Sequence, residues 1–515
     1  MVMRSSLLVV FASTVIAPLA AFPPARSIAR EPREASARAL IDSAISAMGG
    51  MARLRAVHSM RIDGAQHDYL AGNSERADGP WKTVYTRYDQ LSDVVGRRIR
   101  RTASGTSEFN PVATQATLIF TDSVAAVLPA GGTETAAQPT QYVDASDRLD
   151  SDPVRAVMLA LAAPDLRRDA PDTLFREPFD GLSFAWRNGR MRVLLDRHTR
   201  LPGAVVFERA YPGDVRRLPF GDIHLMTVYA DWQMQSSGLW YPRQSIVTVN
   251  GVTTSDRSIY HFIENAPAPD DSFEVSQATR AQFSTHQTRA FTTAVTLNEL
   301  GPPVVIRDGI VSLRDFWTTT LVRQDDGVVV FEAHISPEYA SQVIAEAHRR
   351  FPDLPVKALV MTSDPWAHIG GVREFVARGI PIYLLDSSRP FIESLLRSPH
   401  TLHPDALQRA PRRPLIKTVA GRTVVGRGSN QFVLYPVRGS AGDRMVMAYF
   451  PAHRLLYGAD LVTPNPAADG AAVTYDRTET TELRRAVARE GLAVDSVFCV
   501  QSPERIGWSA FTPAP

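Results

Sequence analysis

The chain has 515 residues, which is too long for one hydrophobic core and predicts two or three domains. Its 56 lysines and arginines nearly balance its 54 aspartates and glutamates, so the formal net charge is only +2. This balance argues against nucleic acid or an acidic membrane surface as the partner. The single cysteine, Cys499, excludes an intrachain disulfide. Its apolar surroundings predict a buried thiol rather than a nucleophile.

The first residues predict a secretory signal. Residues 1–21 combine a basic start, an apolar run and small residues before Phe22, which is the pattern of a cleaved signal peptide. A membrane anchor is the alternative, but the apolar run is shorter than the ~20 residues of a membrane span, and Pro18 interrupts it. We therefore expect an exported chain, periplasmic or secreted, with no membrane span in its mature form.

Residues 33–285 predict a mainly antiparallel β domain. Amphipathic helices are expected at 33–48 and at about 150–163. The remaining sequence consists of short alternating runs, and Asn188-Gly189 between two of them is a strong hairpin signal.

Two segments of this domain resemble the curved half-barrels of periplasmic lipoprotein carriers and related sensors. They are Gly238-Leu-Trp-Tyr-Pro242 and Ala268-Pro-Asp-Asp-Ser-Phe273. The resemblance covers spacing and a few turn residues. It implies a concave apolar face that could hold an acyl chain, another hydrophobic ligand or a partner. The alternative is a packed β domain that only supports its neighbour.

From residue 295 to residue 510, strands alternate with helices, which predicts a layered α/β domain. A buried strand is expected at Val328–Phe331, a helix at Pro337–Arg350 and a second strand at 356–362. Later strands follow one another in antiparallel style, and the last is expected at 495–500.

This second region resembles the metallo-β-lactamase superfamily. The resemblance rests on residues 327–333 (GVVVFEA), 356–371 (VKALVMTSDPWAHIGG) and 445–464 (MVMAYFPAHRLLYGADLVTP). It implies an αββα sandwich. It also implies the framework of a metal-dependent hydrolase, since clustered imidazoles and a carboxylate in that family bind one or two zinc ions and make hydroxide available at neutral pH.

Most of the family's metal ligands are replaced in this sequence. The family motif Thr-His-x-His-x-Asp-His aligns with residues 362–368, where only His368 stands on a ligand position, and Asp460 matches the metal-bridging aspartate. The other ligand positions carry Ser363, Pro365, Ala367, Gly442 and Gln501. Two protein ligands fall short of the three in catalytic zinc sites. We therefore expect a degenerate centre without a metal cofactor, with zinc as the alternative.

A relocated site is a second interpretation of the same region. His334 follows a sheet strand and is expected at the same edge as the motif loop, so it could replace a lost ligand. The donors available for an unorthodox mononuclear site are His334, Asp364, His368, Asp460, His400 and His403.

Three functions are open at this point. The first is an exported protein of metallo-β-lactamase fold with a degenerate centre, which works through binding or interaction and not as an enzyme. The second is an active metal-dependent hydrolase, mononuclear or with relocated ligands. The third is a carrier of a hydrophobic ligand through the N-terminal domain. The sequence does not determine the substrate, the ligand or the oligomeric state, because specificity in this fold comes from loops outside the motif.

Overall fold

The computed structural model describes residues 36–70, 81–107, 113–288, 297–315, 317–439, 444–466, 473–475 and 477–511. The predicted signal at 1–21 and the motif position Gly442 lie outside the described residues. None of the described helices is long and apolar enough to cross a membrane.

A 14-stranded antiparallel sheet occupies the N-terminal region. Its first and last strands pair with each other in the middle of the sheet, because β1 lies between β2 and β14. The strands are β1 (Ser59–Tyr69), β2 (Thr83–Asp93), β3 (Arg98–Ser107), β4 (Thr114–Phe120), β5 (Ala125–Pro129), β6 (Thr135–Ala136), β7 (Arg167–Arg168), β8 (Asp172–Leu174), β9 (Glu177–Trp186), β10 (Gly189–Asp196), β11 (Pro202–Ala210), β12 (Asp222–Met234), β13 (Trp240–Val249) and β14 (Val252–Glu264). The predicted hairpin at Asn188-Gly189 joins β9 and β10.

Five helices accompany this sheet. They are α1 (Ala37–Ala47), α2 (Met51–Ala56), α3 (Pro139–Asp150), α4 (Pro153–Ala162) and α5 (Gln277–Thr288). The helix predicted at about 150–163 is present as α4, whereas the preceding helix α3 was not predicted. Asp152 caps a new helix by accepting from the backbone N–H of Val154 and Arg155, and Pro153 takes the first helical position, which proline favours.

The C-terminal region contains two further sheets. The seven-stranded sheet has the order β15 (Val304–Arg307), β16 (Ile310–Leu313), β17 (Thr319–Gln324), β18 (Gly327–Phe331), β19 (Val356–Val360), β20 (Ile382–Leu385) and β21 (Ile416–Val419). The six-stranded sheet has the order β22 (Thr423–Val425), β23 (Phe432–Val437), β24 (Met445–Phe450), β25 (Leu455–Tyr457), β28 (Ser496–Cys499) and β29 (Ser502–Gly507). A small hairpin, β26 (Pro464–Pro466) and β27 (Val473–Tyr475), lies between β25 and β28 in the chain.

Six α-helices accompany these two sheets in the described part of the chain. They are α6 (Pro337–Arg350), α7 (Trp366–Ile369), α8 (Val372–Ala377), α9 (Arg389–Arg397), α10 (Ala406–Arg409) and α11 (Arg477–Arg489). Phe331 of the first sheet contacts Phe432 and Tyr457 of the second, with ring centroids 5.1 and 5.0 Å apart. The apolar side of α11 packs on the six-stranded sheet through Leu483. These layers confirm the predicted αββα, metallo-β-lactamase-like sandwich.

The end of the chain differs from the prediction. The strand expected last, at 495–500, is present as β28, but β29 follows it as an antiparallel edge strand. Its residues are mostly polar and partly exposed, and it contains Pro503. Proline is tolerated on an edge strand. Because β29 is polar, a search for apolar runs in the sequence could not identify it.

The two regions contact each other through hydrogen bonds and through apolar side chains, among them Phe220 and Phe391, whose ring centroids are 6.1 Å apart. The carboxylate of Asp222, at the start of β12, accepts from the backbone N–H of Thr401 at 2.9 Å and of Leu402 at 2.9 Å. The large sheet ends at Glu264 and the sandwich begins at Val304. The predicted limits 33–285 and 295–510 for separate domains stay a prediction.

Candidate functional site

The candidate site lies where strands of the two sandwich sheets end. Glu332 directly follows β18, and residues 362–364 follow the neighbouring parallel strand β19. Asp460 follows β25, and Gln501 follows the parallel strand β28. Because parallel strands end at the same edge of a sheet, these four segments converge, as in other layered α/β folds.

His368 is held between two carboxylates. Its Nδ1 lies 2.9 Å from Oε2 of Glu332, and its Nε2 lies 2.7 Å from Oδ2 of Asp460. The His368 side chain is 2% exposed and that of Glu332 is fully buried. An imidazole ring can donate from both nitrogens only in its protonated form. The geometry therefore describes an imidazolium that bridges two carboxylates.

The remaining carboxylate oxygens also have partners. Oε1 of Glu332 accepts from the hydroxyl of Thr362 and, at 3.3 Å, from its backbone N–H. Oδ1 of Asp460 accepts from Nε2 of Gln501 at 2.9 Å. Gln501, just after β28, thus holds the carboxylate of Asp460, just after the neighbouring strand β25.

The charges stabilise one another. Burial alone would lower the pKa of His368, but the charges of Asp460 and Glu332 and their hydrogen bonds raise it well above its usual value. Burial would raise the pKa of Asp460, yet the charge of His368 and hydrogen bonds from His368 and Gln501 lower it. Both shifts favour the charged pair.

The backbone around this network is constrained. Glu332 has φ 76°, Ile335 has φ 63° and Ala459 has φ 51°. Positive φ is unfavourable for residues with a Cβ, and for a β-branched residue it is a genuine outlier. A Cβ on Gly370 would lie 2.1 Å from the carbonyl oxygen of Ile335. The Gly-Gly pair of the motif is therefore required for the close approach of these segments.

The side chains of the remaining described residues of the segment 362–368 do not join the network around His368. Ser363 is buried, and its hydroxyl has no hydrogen-bond partner among the described residues. Pro365 precedes the short helix α7, on whose backbone Ala367 lies. Asp364 forms a buried ion pair with Arg444. Burial raises the pKa of Asp364, although Arg444 opposes this shift.

His334 lies beside the network. Its ring centroid is 5.2 Å from that of His368, and its Nε2 lies 3.2 Å from the carbonyl oxygen of Thr318, to which it donates. Donor atoms of Glu332, His334 and His368 lie within 4.8 Å of one another, so this group could hold a metal ion.

The other two histidines lie elsewhere. His400 is buried next to Gly221 of the N-terminal region, with its Nδ1 3.6 Å from Asp405. Burial first, then the charge of Arg373, lowers the pKa of His400 to about 4. His403 is exposed. Neither belongs to the group around His368.

Sequence reasoning missed Glu332. It lies in the GVVVFEA segment that carried the resemblance, and its signal was an acidic residue directly after a fully buried strand. A carboxylate at such a position is nearly always paired when buried. Its partner in this chain lies 36 residues further on.

The donors fit a zinc ion poorly. Ligand atoms at about 2.0–2.2 Å from a tetrahedral zinc lie roughly 3.4 Å from each other. The contacts from His368 to Asp460 and to Glu332 are shorter, at 2.7 and 2.9 Å. A metal would have to separate both pairs and remove the proton that each one shares.

The N-terminal region has an apolar groove of about 280 Å³, lined mainly by residues of α2, α4 and the turn after β2. Its walls include Leu54, Val57, Val95, Met158 and Leu159. The groove is compatible with a hydrophobic ligand, and the carrier function stays a prediction.

Comparison with known proteins gives structural matches only. No protein-family model matches the chain, and no curated protein matches it significantly. Similar solved structures include the metallo-β-lactamase from Pontibacter korlensis, with 16% identity and TM-score 0.32 over 42% of this chain and 95% of that one. The enzyme from Erythrobacter litoralis has 18% identity and TM-score 0.30 over 41% and 92%. That from Hirschia baltica has 11% identity and TM-score 0.31 over 41% and 94%. These likenesses carry no inference about metal, substrate or reaction.

Proposed function

We propose that this chain is an exported protein with a metallo-β-lactamase-like sandwich whose metal centre has been replaced by a buried ion network. It works through binding or interaction and does not hydrolyse a substrate through a bound metal. The observation that supports this most directly is the bridging of Glu332 and Asp460 by His368.

The network performs the structural task that a metal performs in such a fold. It ties the end of β18 to the motif loop and, through Asp460, to the second sheet. A proton on His368 supplies the positive charge that neutralises the carboxylates. Protonated imidazole has no lone pair for a metal, so the charged network and a bound metal exclude each other.

The site lacks the ligands with which a catalytic metal ion is usually held. A metal-bound water requires an open coordination position next to at least three protein ligands. Ser363 and Pro365 stand where two of the imidazoles would be, and Gln501 stands in place of a third. The Gln501 amide already donates to Asp460.

A single-metal hydrolase is the second candidate. The group of Glu332, His334 and His368 favours it, because it offers three donors within 4.8 Å. In that case His368 would lose its proton and turn from Glu332 and Asp460 toward the metal.

Metal content distinguishes the two proposals. The full chain would be purified without chelators or a polyhistidine tag, and zinc, iron, manganese and nickel would be measured by mass spectrometry. We expect far less than one metal per chain. A content of one metal ion per chain that is unchanged by His261→Ala, at an exposed histidine, but is lost in His334→Ala would establish the single-metal site instead.

Export is tested separately. Expression with the native N-terminus in a Gram-negative host should yield a periplasmic product whose intact mass lacks residues 1–21. A product that keeps these residues and stays in the cytoplasm would contradict export, without any bearing on the ion network.

A further inference from the structure

A small cavity lies within the N-terminal region, between strands of the large sheet and the helices α3 and α4. Its volume is about 40 Å³. The lining contains the apolar side chains of Met60, Ile62 and Ile259 together with two arginines, Arg148 and Arg257. A cavity of this size has room for one or two water molecules or for a small ion.

A third arginine reaches the wall of this cavity. Arg101 is 6% exposed, and it donates at 3.2 Å to Oε1 of Gln90, which lines the cavity. Oε1 of Gln66 accepts from both Arg101, at 2.9 Å, and Arg148, at 3.2 Å. One neutral amide oxygen thus serves two guanidinium groups.

Carboxylates neutralise this cluster only in part, because the charges of Asp68 and Asp144 favour protonated Arg148 but neither carboxylate forms an ion pair with it among the described residues. Among the described residues, the side chain of Arg257 makes neither an ion pair nor a hydrogen bond, and its buried Nε has no partner. The cavity contains Asp152, but that carboxylate accepts from the hydroxyl of Tyr241 at 2.6 Å and caps α4. Asp68, near the cluster, accepts from Nε2 of Gln66 at 2.7 Å. Buried charges in proteins are ordinarily paired.

The guanidinium groups repel one another. Burial and the charges of Arg148 and Arg257 lower the pKa of Arg101 well below its usual value. Burial and the charge of Arg257 lower the pKa of Arg148 to about 10. Arginine stays protonated at neutral pH, so the cavity has an excess of positive charge.

We infer that this arginine cavity, lined by Arg148 and Arg257 and backed by Arg101, binds a small oxyanion: the phosphate or carboxylate group of a free ion or of the head of an amphiphile. Guanidinium groups recognise such oxygens through paired, charge-assisted N–H donors. The anion would accept from Arg257 and reduce the repulsion within the cluster. This site is independent of the sandwich and of any metal there.

Binding of inorganic phosphate to the full chain tests the inference. Titration calorimetry should give one saturable site, and phosphate should raise the melting temperature, because a ligand of the folded state stabilises it. Arg257→Met should weaken phosphate binding at least tenfold. Without phosphate its melting temperature should equal or exceed that of the wild type, since a partly buried charge without an ion-pair partner has been removed.

Two further variants complete the test. Arg148→Met should weaken binding as Arg257→Met does, and it replaces that variant if the latter does not fold. Arg61→Met is the matched control, because Arg61 lies on the same sheet but pairs with Asp89 at an exposed position. It should bind phosphate as the wild type does.

Decyl phosphate and decanoate separate the two sources of the anion. Tighter binding than that of inorganic phosphate indicates an amphiphile head, and equal binding indicates a free ion. The inference is overturned if none of these anions binds the wild type saturably, or if Arg61→Met weakens binding as much as Arg257→Met.

Discussion

Replacement of His368 by leucine should destabilise the protein strongly. The substitution removes the cation from between Glu332 and Asp460, whose contacts with it are 2.9 and 2.7 Å long. Removing one partner of a buried ion pair costs about 3–5 kcal/mol. Leucine is similar in size to the imidazole ring, so a cavity adds little to this value. Urea unfolding, followed by circular dichroism, measures the difference.

An exposed pair provides the matched control. His261 lies 3.0 Å from Asp63, but its side chain is 76% exposed. His261→Leu should therefore cost less than about 1 kcal/mol, as solvent-exposed ion pairs do. Equal and small losses in the two variants would refute the view that His368 is a buried cation.

The effect of His368→Leu should depend on pH in a defined direction. The pKa of His368 is raised by folding, so its contribution is complete below about 6.5, the unfolded value, and is lost as the pH rises through the folded value. The pKa of Asp460 is lowered by folding, so its contribution is present above about 3.9 and is lost as the pH falls through the folded value. The difference between variant and wild type should thus be largest at about pH 4–6.5.

Three other outcomes follow from buried groups and from the contact between the two regions. The side chain of Asp150 is 1% exposed and pairs with Arg97, Arg155 and Arg187, so Asp150→Asn should lower the free energy of unfolding of the protein by about 3–5 kcal/mol. A smaller decrease than that caused by Asp89→Asn, which breaks an exposed ion pair, would contradict this expectation. Burial raises the pKa of Cys499 to about 12, so the native chain should not react with a disulfide reagent at pH 8, whereas the unfolded chain should react fully. Asp222→Ala should lower the unfolding free energy by about 1–2 kcal/mol, because hydrogen bonds to a partly exposed carboxylate are lost; an unchanged denaturation midpoint would show that these hydrogen bonds contribute nothing.

Part of the site could be predicted from the sequence because the relevant signals are local. The buried strand Val328–Phe331 and the helix Pro337–Arg350 appear in the structure as predicted. Periodicity and caps within one segment determine such elements. The motif likewise identified His368 and Asp460, whose side chains lie 2.7 Å apart in the structure.

The contacts themselves were decided by the tertiary structure. His368 meets Glu332 and Asp460 from positions 36 and 92 residues away, because two parallel strand pairs end at the same edge. The arginine cavity likewise joins β3, α3 and β14 over more than 150 residues. The sequence by itself determined most of the segments of the sandwich and its fold class. Which charge neutralises which other charge depends on strand register and on distances of a few ångströms between distant segments, and no local pattern contains these.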